Sequence, residues 1–225
     1  PSAVSPTPRW ALWSVLPAML LVGAFGLWLR LTHTGPTPLD VWWAHLVKVP
    51  LDSVPYWVAV TLAEVGGGNG AMMCTALAAA IFILLRRFRA AVVIVTTMLL
   101  GVGLSELIKL LVERARPGDQ LYSSLGYSYP SGHSMGAAAL AFGLALIVTR
   151  AATSTRADPL RLRFHWSLLL AAGWVLAMMW SRTALQVHWL TDTIAGVLVG
   201  LTAAILADAL WTWIGLRTRS PLLLR

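Results

Sequence analysis

Residues 10–29 read WALWSVLPAMLLVGAFGLWL, a run without a charged side chain that is bounded by Arg9 and Arg30. A helix that crosses the hydrocarbon core of a bilayer needs about 20 consecutive, mostly apolar residues. This stretch therefore predicts a membrane-spanning helix.

Further apolar stretches of similar length follow along the chain. Residues 65–85 are uncharged between Glu64 and Arg86, and the later stretches contain few charged residues. The sequence therefore predicts an all-α integral membrane protein in which residues 1–225 form a single domain. Six transmembrane helices are expected in one bundle, at about 10–31, 65–85, 90–112, 132–149, 165–181 and 189–213.

Residues 39–64, between the first two predicted spans, have a different pattern. Four charged residues are spread among three tryptophans there: Asp40, Lys48, Asp52 and Glu64 among Trp42, Trp43 and Trp57. This mixture favours one or two short helices that lie at the membrane interface or pack on the outer ends of the bundle. The glycines at 66–68 are expected to break the chain before the second span.

The composition of the whole chain agrees with a membrane protein. Of 225 residues, 58% are hydrophobic and only 12% are charged, and the mean hydropathy is +0.73. Soluble globular proteins are about 25% charged, so an ordinary soluble domain, a disordered chain and a coiled coil are excluded. The net charge of +8 would suggest nucleic acid in a soluble protein. Here a membrane explains it better, and no nucleic-acid partner is expected. Cys74 is the single cysteine, which excludes an intramolecular disulfide.

The basic residues indicate an orientation. With six spans and a cytoplasmic N-terminus, 11 of the 17 basic residues fall in cytoplasmic segments, as the positive-inside rule favours. Both termini are then cytoplasmic. Only two of the basic residues are lysines, an arginine bias that suggests a GC-rich genome and hence a bacterial plasma membrane. The cytoplasmic set is Arg9, Arg86, Arg87, Arg89, Arg150, Arg156, Arg161, Arg163, Arg217, Arg219 and Arg225.

A second group of ionisable residues collects at the opposite, extracytoplasmic ends of the predicted spans. A charge at membrane depth costs about 2.5–3.5 kcal/mol on insertion scales, so such residues are usually functional. Anchoring at the interface explains one arginine, but it does not explain six ionisable residues at one face. The group predicts a site for an anionic ligand, and it contains Lys109, Arg116, His133, Arg182, His188 and Asp192.

The spacing of these residues resembles the three-part signature of the type-2 phosphatidic acid phosphatase family. The matching motifs are Lys109-x6-Arg116-Pro117, Pro130-Ser131-Gly132-His133 and Ser181-Arg182-x5-His188-x3-Asp192. They occur in the expected order and without a departure from the pattern. The resemblance implies a membrane-embedded lipid phosphatase with an extracytoplasmic active site and no cofactor.

The resemblance also assigns catalytic roles. His188 is expected to attack phosphorus and become a phosphohistidine, and Asp192, four residues later on the same helix face, is expected to orient it. His133 is expected to act as the general acid and then as the base that activates water. The alternatives for these residues are structural: a His–Asp cap at a helix start, and a capping histidine.

Five residues are expected to bind the phosphate. Lys109, Arg116 and Arg182 would neutralise the phosphoryl oxygens. Ser131 and Gly132 would present the free N–H groups of a helix N-terminus, although a plain N-cap is an alternative for them. No metal is expected, because Asp192 is committed to His188 and the sequence shows no further carboxylate cluster.

Several questions stay open at this level. The substrate is expected to be a lipid phosphate that enters from the outer leaflet: an isoprenoid diphosphate, phosphatidylglycerophosphate or phosphatidic acid. The alternatives are a polyprenyl-phosphoryl sugar phosphate phosphatase, a lipid phosphotransferase and a lipid-binding or transport protein without enzymatic activity. Vanadium-dependent haloperoxidases carry the same signature, but they resemble soluble proteins. The oligomeric state is not predicted.

Other polar residues are assigned structural roles or a place near the headgroup. Glu64, Glu106, Arg114 and Asp208 are expected to be structural, with Glu106 pairing with Lys109 and Asp208 lying near the cytoplasmic interface. A further hypothesis places three tyrosines around the lipid headgroup: Tyr122, Tyr127 and Tyr129.

Overall fold

A computed structural model describes residues 7–32, 34–153 and 165–218. The regular secondary structure of these residues is helical, as predicted. The helices are α1 (Arg9–Thr32), α2 (Pro38–Val47), α3 (Val54–Gly66), α4 (Gly68–Leu84), α5 (Phe88–Val112), α6 (Gly132–Thr153), α7 (Trp166–Ala184) and α8 (Leu190–Thr218).

The number of spans that the helices support is smaller than six. Within the described residues, α1, α5, α6 and α8 are long and apolar enough to cross a bilayer. A fifth span results if α3 and α4 are counted together as one bent helix. The predicted span of residues 165–181, the fifth in chain order, corresponds to α7, which has 19 residues but is less apolar because it carries three tryptophans and Arg182. The predicted count of six is therefore not confirmed.

The region between the first two predicted spans folds as two helices. The first, α2, begins with a capping box in which Thr37 and Asp40 cap each other's backbone N–H groups. The second, α3, ends at Gly66, and after a bend of 50° the chain continues as α4. The predicted glycine break is therefore present, and α3 and α4 are together long and apolar enough for one bent span.

Close backbone contact joins α6 to α8. A Cβ atom added at Gly196 would lie 2.4 Å from the carbonyl oxygen of Ser131, and one added at Gly200 would lie 2.5 Å from that of Met135. These glycines are spaced as Gly-x-x-x-Gly, a pattern that lets membrane helices approach closely. The backbones of α6 and α8 are therefore in contact near the N-terminal ends of both helices.

One end of the bundle is held by a buried ionic cluster. Asp208 accepts hydrogen bonds from Arg89 at 2.7 Å and from Thr7 at 2.8 Å, and it also pairs with Arg150. Asp208 therefore lies away from the candidate site, as predicted. The cluster joins α5, α6 and α8 at the end where the cytoplasmic arginines were predicted. Five of those arginines lie outside the described residues: Arg156, Arg161, Arg163, Arg219 and Arg225.

Candidate active site

His188 is placed by the way in which α7 ends. Gln186 has a positive φ of 53°, and the backbone N–H of Val187 bonds to the carbonyl of Arg182 while that of Gln186 bonds to Thr183. This is a Schellman motif, which satisfies the last carbonyl groups of a helix and reverses the chain. The backbone N–H of His188 also bonds to the Arg182 carbonyl, at 3.3 Å. The motif thus fixes His188 next to the end of α7.

The imidazole of His188 has a defined tautomer. Its Nδ1 lies 2.9 Å from the carbonyl oxygen of Ser128, which can only accept a hydrogen bond. Its Nε2 lies 3.1 Å from Nη1 of Arg116, which can only donate one. The proton must therefore be on Nδ1, and the lone pair of Nε2 points to the guanidinium.

The environment of His188 favours the neutral imidazole. Burial lowers the pKa of His188 well below its ordinary value, and the positive charges of Arg116, Arg182 and Lys109 lower it further. The hydrogen bond to Ser128 acts in the opposite direction but is the smaller effect. A neutral imidazole with an unprotonated Nε2 is the form that attacks an electrophile.

Asp192 lies beside His188 but is not its nearest partner. His188 precedes α8 instead of lying on it, so the predicted shared helix face does not exist. The Oδ2 atom of Asp192 is 3.6 Å from Nδ1 of His188 and accepts the backbone N–H of Trp189 at 2.9 Å. The carboxylate thus caps the first turn of α8, and the Ser128 carbonyl makes the hydrogen bond that was expected from Asp192.

The first turn of α6 lies against Lys109. Ser131 caps this helix, since its hydroxyl accepts the N–H of Ser134 at 3.4 Å and its own N–H bonds to the Asp192 carbonyl at 2.9 Å. A Cβ added at Gly132 would lie 3.5 Å from Nζ of Lys109. Both interpretations of Ser131 and Gly132 are compatible with this geometry, because a capped helix start still exposes N–H groups to an anion.

His133 lies at the start of α6 and faces the bend between α3 and α4. A Cβ added at Gly67 would lie 2.3 Å from Nε2 of His133, so the ring packs against a residue without a side chain. His133 is also within electrostatic range of four residues of the predicted site: Arg182, His188, Arg116 and Lys109. The structure therefore brings both predicted catalytic histidines to the same set of cations.

The two predicted arginines differ in how fully they are bonded. Arg116 donates to the carbonyl groups of Val187, Gly126, Leu125 and Tyr127 at 2.8–3.2 Å, which leaves little of its guanidinium unbonded. Arg182 is 1% exposed, and among the described residues its Nε and Nη1 atoms have no hydrogen-bond partner. Buried donors are normally satisfied, so the N–H groups of these two nitrogens favour an acceptor that is not part of the chain.

Arg114 and Asp40 belong to the site region, although neither was predicted to lie there. Arg114 is completely buried and donates to Asp192 at 2.6 Å and to Asp40 at 2.7 Å. The only sequence signal for Arg114 was its position two residues before Arg116, a predicted site residue. Asp40 lies on α2, 74 residues earlier, and nothing in its local sequence points to this contact.

The tyrosine hypothesis is only partly compatible with the geometry. Tyr129 is buried and its hydroxyl donates to the carbonyl of Val22 at 2.8 Å, so it belongs to the contact with α1 and not to a headgroup pocket. The ring of Tyr122 lies 5.7 Å from the guanidinium of Arg182, and its hydroxyl donates to Glu64. Tyr127 is 39% exposed.

The remaining charges near the site form surface pairs. Glu106 lies 2.6 Å from Nζ of Lys109, which confirms the predicted pair. Two basic residues without a predicted role are also paired on the surface: Arg30 with Glu113, and Lys48 with Asp119. Exposed pairs of this kind contribute little to stability.

Taken together, the arrangement suits a tetrahedral oxyanion. A neutral imidazole lies among three cations and the N-terminus of a helix, and Nε and Nη1 of the buried Arg182 lack a partner within the described residues. Such a site can neutralise negative charge on the oxygens while Nε2 approaches the central atom.

Comparison with known proteins agrees with the sequence resemblance. Residues 90–218, more than half of the chain, match the family model of the PAP2 superfamily. The structure is similar to that of the first transmembrane PAP2-type phosphatidylglycerolphosphate phosphatase from Bacillus subtilis, with a TM-score of 0.73 at 17% identity over 88% of this chain and 96% of that one. It is also similar to Aquifex aeolicus LpxE, with a TM-score of 0.58 at 16% identity over 76% and 95%. No curated protein sequence matches significantly.

Proposed function

Since the chain belongs to the PAP2 superfamily, we propose that it is a membrane phosphatase that hydrolyses the phosphate monoester or diphosphate of an amphipathic lipid. The single observation that carries the proposal is the state of His188. Its Nδ1 proton is bound by the Ser128 carbonyl, and its Nε2 lone pair faces the guanidinium of Arg116. A nucleophile beside a cation is the arrangement that attack on a bound phosphate requires.

In the first half of the proposed reaction, His188 replaces the lipid on phosphorus. The lone pair of Nε2 forms the new N–P bond while the bond between phosphorus and the leaving oxygen breaks. His133 donates a proton to that oxygen, so the lipid leaves as an alcohol or as a lipid monophosphate. Asp192, 3.6 Å from Nδ1, stabilises the positive charge that develops on the imidazole.

In the second half, water releases the phosphate. The neutral His133 accepts a proton from water as the water oxygen attacks phosphorus, and the N–P bond breaks. His188 returns to its starting form and inorganic phosphate departs. The two histidines therefore work in opposite protonation states, which gives a bell-shaped dependence of rate on pH.

The proposed phosphate cradle holds the transferring group in both halves. Lys109, Arg116 and Arg182 neutralise the equatorial oxygens, and the α6 N-terminus at Ser131 and Gly132 donates backbone N–H groups. The unbonded N–H groups of Arg182 support its place in this cradle. We expect the reaction to need no metal ion, since the three cations supply the positive charge.

The lipid substrate is expected to reach the site from the outer leaflet of a bacterial plasma membrane. The candidates are phosphatidylglycerophosphate, phosphatidic acid and isoprenoid diphosphates. The similar Bacillus subtilis protein is described as a phosphatidylglycerolphosphate phosphatase, which makes that lipid the first to test.

The test is phosphate release by the purified protein in detergent micelles. The assay compares the three lipid classes, each with and without EDTA, and each beside a His188→Asn variant. We expect release from at least one lipid, resistance to EDTA and loss of release in the variant. Product analysis then separates hydrolysis from transfer, because a phosphotransferase gives a phosphorylated acceptor instead of free phosphate.

Two results would overturn the proposal. Full phosphate release by His188→Asn would refute the phosphohistidine intermediate. Absence of release by the wild-type protein from every lipid would refute the phosphatase activity. Loss of activity in EDTA that Mg²⁺ restores would contradict only the metal-independent mechanism.

A further inference from the structure

The guanidinium of Arg114 lies between two buried carboxylates. Nη1 donates to Oδ1 of Asp192 at 2.6 Å, and Nη2 donates to Oδ2 of Asp40 at 2.7 Å. All three side chains are completely buried. Nη1 and Nη2 also donate to Thr191 at 2.7 Å and to the carbonyl of Gly35 at 3.0 Å. A buried charge is tolerated only where it is paired and hydrogen-bonded, so the three groups form one interdependent unit.

Asp40 connects this unit to two helix starts. On α2 its Oδ2 accepts the N–H and the hydroxyl of Thr37, both at 2.9 Å. On α8 its Oδ1 accepts the N–H of Thr191 at 2.9 Å. Burial raises the pKa of Asp40, but the hydrogen bonds from Thr191 and Thr37 and the charge of Arg114 together lower it below its ordinary value. Asp40 is therefore an ionised carboxylate that bridges α2, α8 and Arg114.

Asp192 has no freedom to rotate within this network. Its Oδ1 is held by Arg114, and its Oδ2 is held by the backbone N–H of Trp189. Both bonds fix the face that the carboxylate turns to His188, whose Nδ1 is 3.6 Å away. The orientation of Asp192 thus depends, through Arg114, on Asp40 of α2.

We propose that Arg114 and Asp40 are positioning residues that hold Asp192 against His188 for phosphoryl transfer. The inference rests on the proposed function and extends it to residues without a role in that mechanism. Both Nη groups of Arg114 and both carboxylate oxygens of Asp40 are bonded to groups of the protein, so the proposal gives neither residue a contact with the substrate. Asp40 also lies outside residues 90–218, so the site extends beyond the part of the chain that matches the family model.

The expected effect follows from this placement. Hydrogen-bond partners that orient metal-ligating residues change activity about 10–100-fold when they are replaced, and we expect a loss of the same order here. Because Arg114 and Asp40 do not contact the substrate, the loss falls on kcat and leaves KM within about twofold. Arg114→Lys keeps the charge but not the two-pronged donor, and it restores part of the rate.

The experiment compares four variants with the wild-type enzyme on its best lipid phosphate. These are Arg114→Met, Arg114→Lys, Asp40→Asn and the Arg114→Met/Asp40→Asn double variant. Asp40→Asn is nearly isosteric and keeps one oxygen for Thr191 or Thr37, so it tests the idea if Arg114→Met does not fold. For each protein, kcat, KM and the melting temperature are measured on the folded fraction.

The matched control is Arg89→Met at the other end of the bundle. Arg89 is also buried and pairs with a carboxylate, Asp208, at 2.7 Å. We expect Arg89→Met to lower the melting temperature but to leave kcat of the folded enzyme unchanged. The site variants should lose kcat, and the double variant should lose little more than either single one, because the residues act as a unit.

Three outcomes separate the possibilities. A wild-type enzyme that releases no phosphate from any lipid refutes the proposed function and this inference with it. An active wild-type enzyme whose Arg114 and Asp40 variants change only the melting temperature, as Arg89→Met does, overturns the positioning role alone. If the fold-loss of kcat in the double variant equals the product of the two single losses, the residues act independently. That result also contradicts the proposal.

Discussion

Nδ1 of His188 is hydrogen-bonded to the backbone carbonyl of Ser128 at 2.9 Å. The bond connects the loop before α8 to the loop before α6, and it uses the one imidazole nitrogen that the proposed chemistry does not need. Because the acceptor belongs to the main chain, no side-chain substitution at Ser128 removes it. The tautomer of His188 is therefore a property of the fold.

The first prediction concerns His188→Asn. The asparagine amide is placed to donate to the Ser128 carbonyl in the way that Nδ1 does, but it offers no atom in the place of Nε2. We expect a loss of phosphate release of at least about 10³-fold, with a melting temperature close to that of the wild type. Steady-state assays and thermal unfolding check the two parts. Retained activity would exclude His188 as the nucleophile.

The second prediction concerns His133→Ala with an aryl phosphate as substrate. A good leaving group needs no proton, so the first half-reaction still proceeds, while the attack of water loses its base and slows about 10²–10⁴-fold. The phosphorylated enzyme should therefore accumulate.

Rapid mixing measures that accumulation as a burst of aryl alcohol, and mass spectrometry under alkaline conditions detects phosphate on His188. A His133→Ala enzyme with neither a burst nor a labelled His188 would assign the second half-reaction to another base.

The third prediction concerns pH. Burial and the surrounding cations lower the pKa of His188, so its neutral form persists below the ordinary histidine value of 6.5. The acidic limb of kcat/KM that belongs to His188 should lie below pH 6.5 in the wild type. Removal of a cation in Arg116→Met raises this pKa and moves the limb to higher pH.

Profiles of kcat/KM against pH for both enzymes, with the same lipid, check the direction. The ionisation of the substrate phosphate affects both profiles equally, so the difference between them reports the enzyme. The charged groups around His188 that remain in the variant are Arg182, Lys109, His133 and Asp192. A limb that stays in place or moves to lower pH would contradict the electrostatic argument.

The fourth prediction concerns the contact between α6 and α8. An alanine at Gly200 would place its Cβ 2.5 Å from the carbonyl oxygen of Met135, and backbone cannot move aside as a side chain can. Overpacking of this kind costs about 1–3 kcal/mol. Gly200→Ala should therefore lower both the melting temperature and kcat.

The control is Gly173→Ala on α7, where an added Cβ meets no atom within 4 Å. An alanine there should leave both measurements unchanged or raise the melting temperature slightly, since alanine favours a helix over glycine by about 1 kcal/mol. Equal effects at Gly200 and Gly173 would show that the helix contact does not control the site.

The sequence predicted the helices because apolar length is a local property. The predicted span of residues 90–112 corresponds to α5, Phe88–Val112, and the span of 132–149 corresponds to α6. The helices of residues 39–64 were less well predicted, since α3 continues across Gly67 into α4 and its role depends on the 50° bend between them. A bend angle is set by packing against α6 and α7, which no local pattern reports.

The part of the candidate site that could be predicted consists of ionisable residues in short sequence motifs. Lys109, Arg116 and His133 could be named because charges are unusual at the ends of apolar helices. The contacts between distant residues could not be named. The hydrogen bond from His188 to Ser128 uses a carbonyl that every residue has, and Asp40 has the appearance of an ordinary N-cap partner in its local sequence.

The contact of α6 with α8 at Gly196 and Gly200 has a consequence for how this protein tolerates mutation. His133 follows the first residue of α6, and His188 comes just before α8, so the spacing of the backbones that carry the two imidazoles depends on this main-chain contact. Exchanges between aliphatic residues on the lipid-facing sides leave this contact in place. We therefore expect both helices to accept substitutions on those sides without a change in the spacing of the two histidines, provided that the two glycines remain.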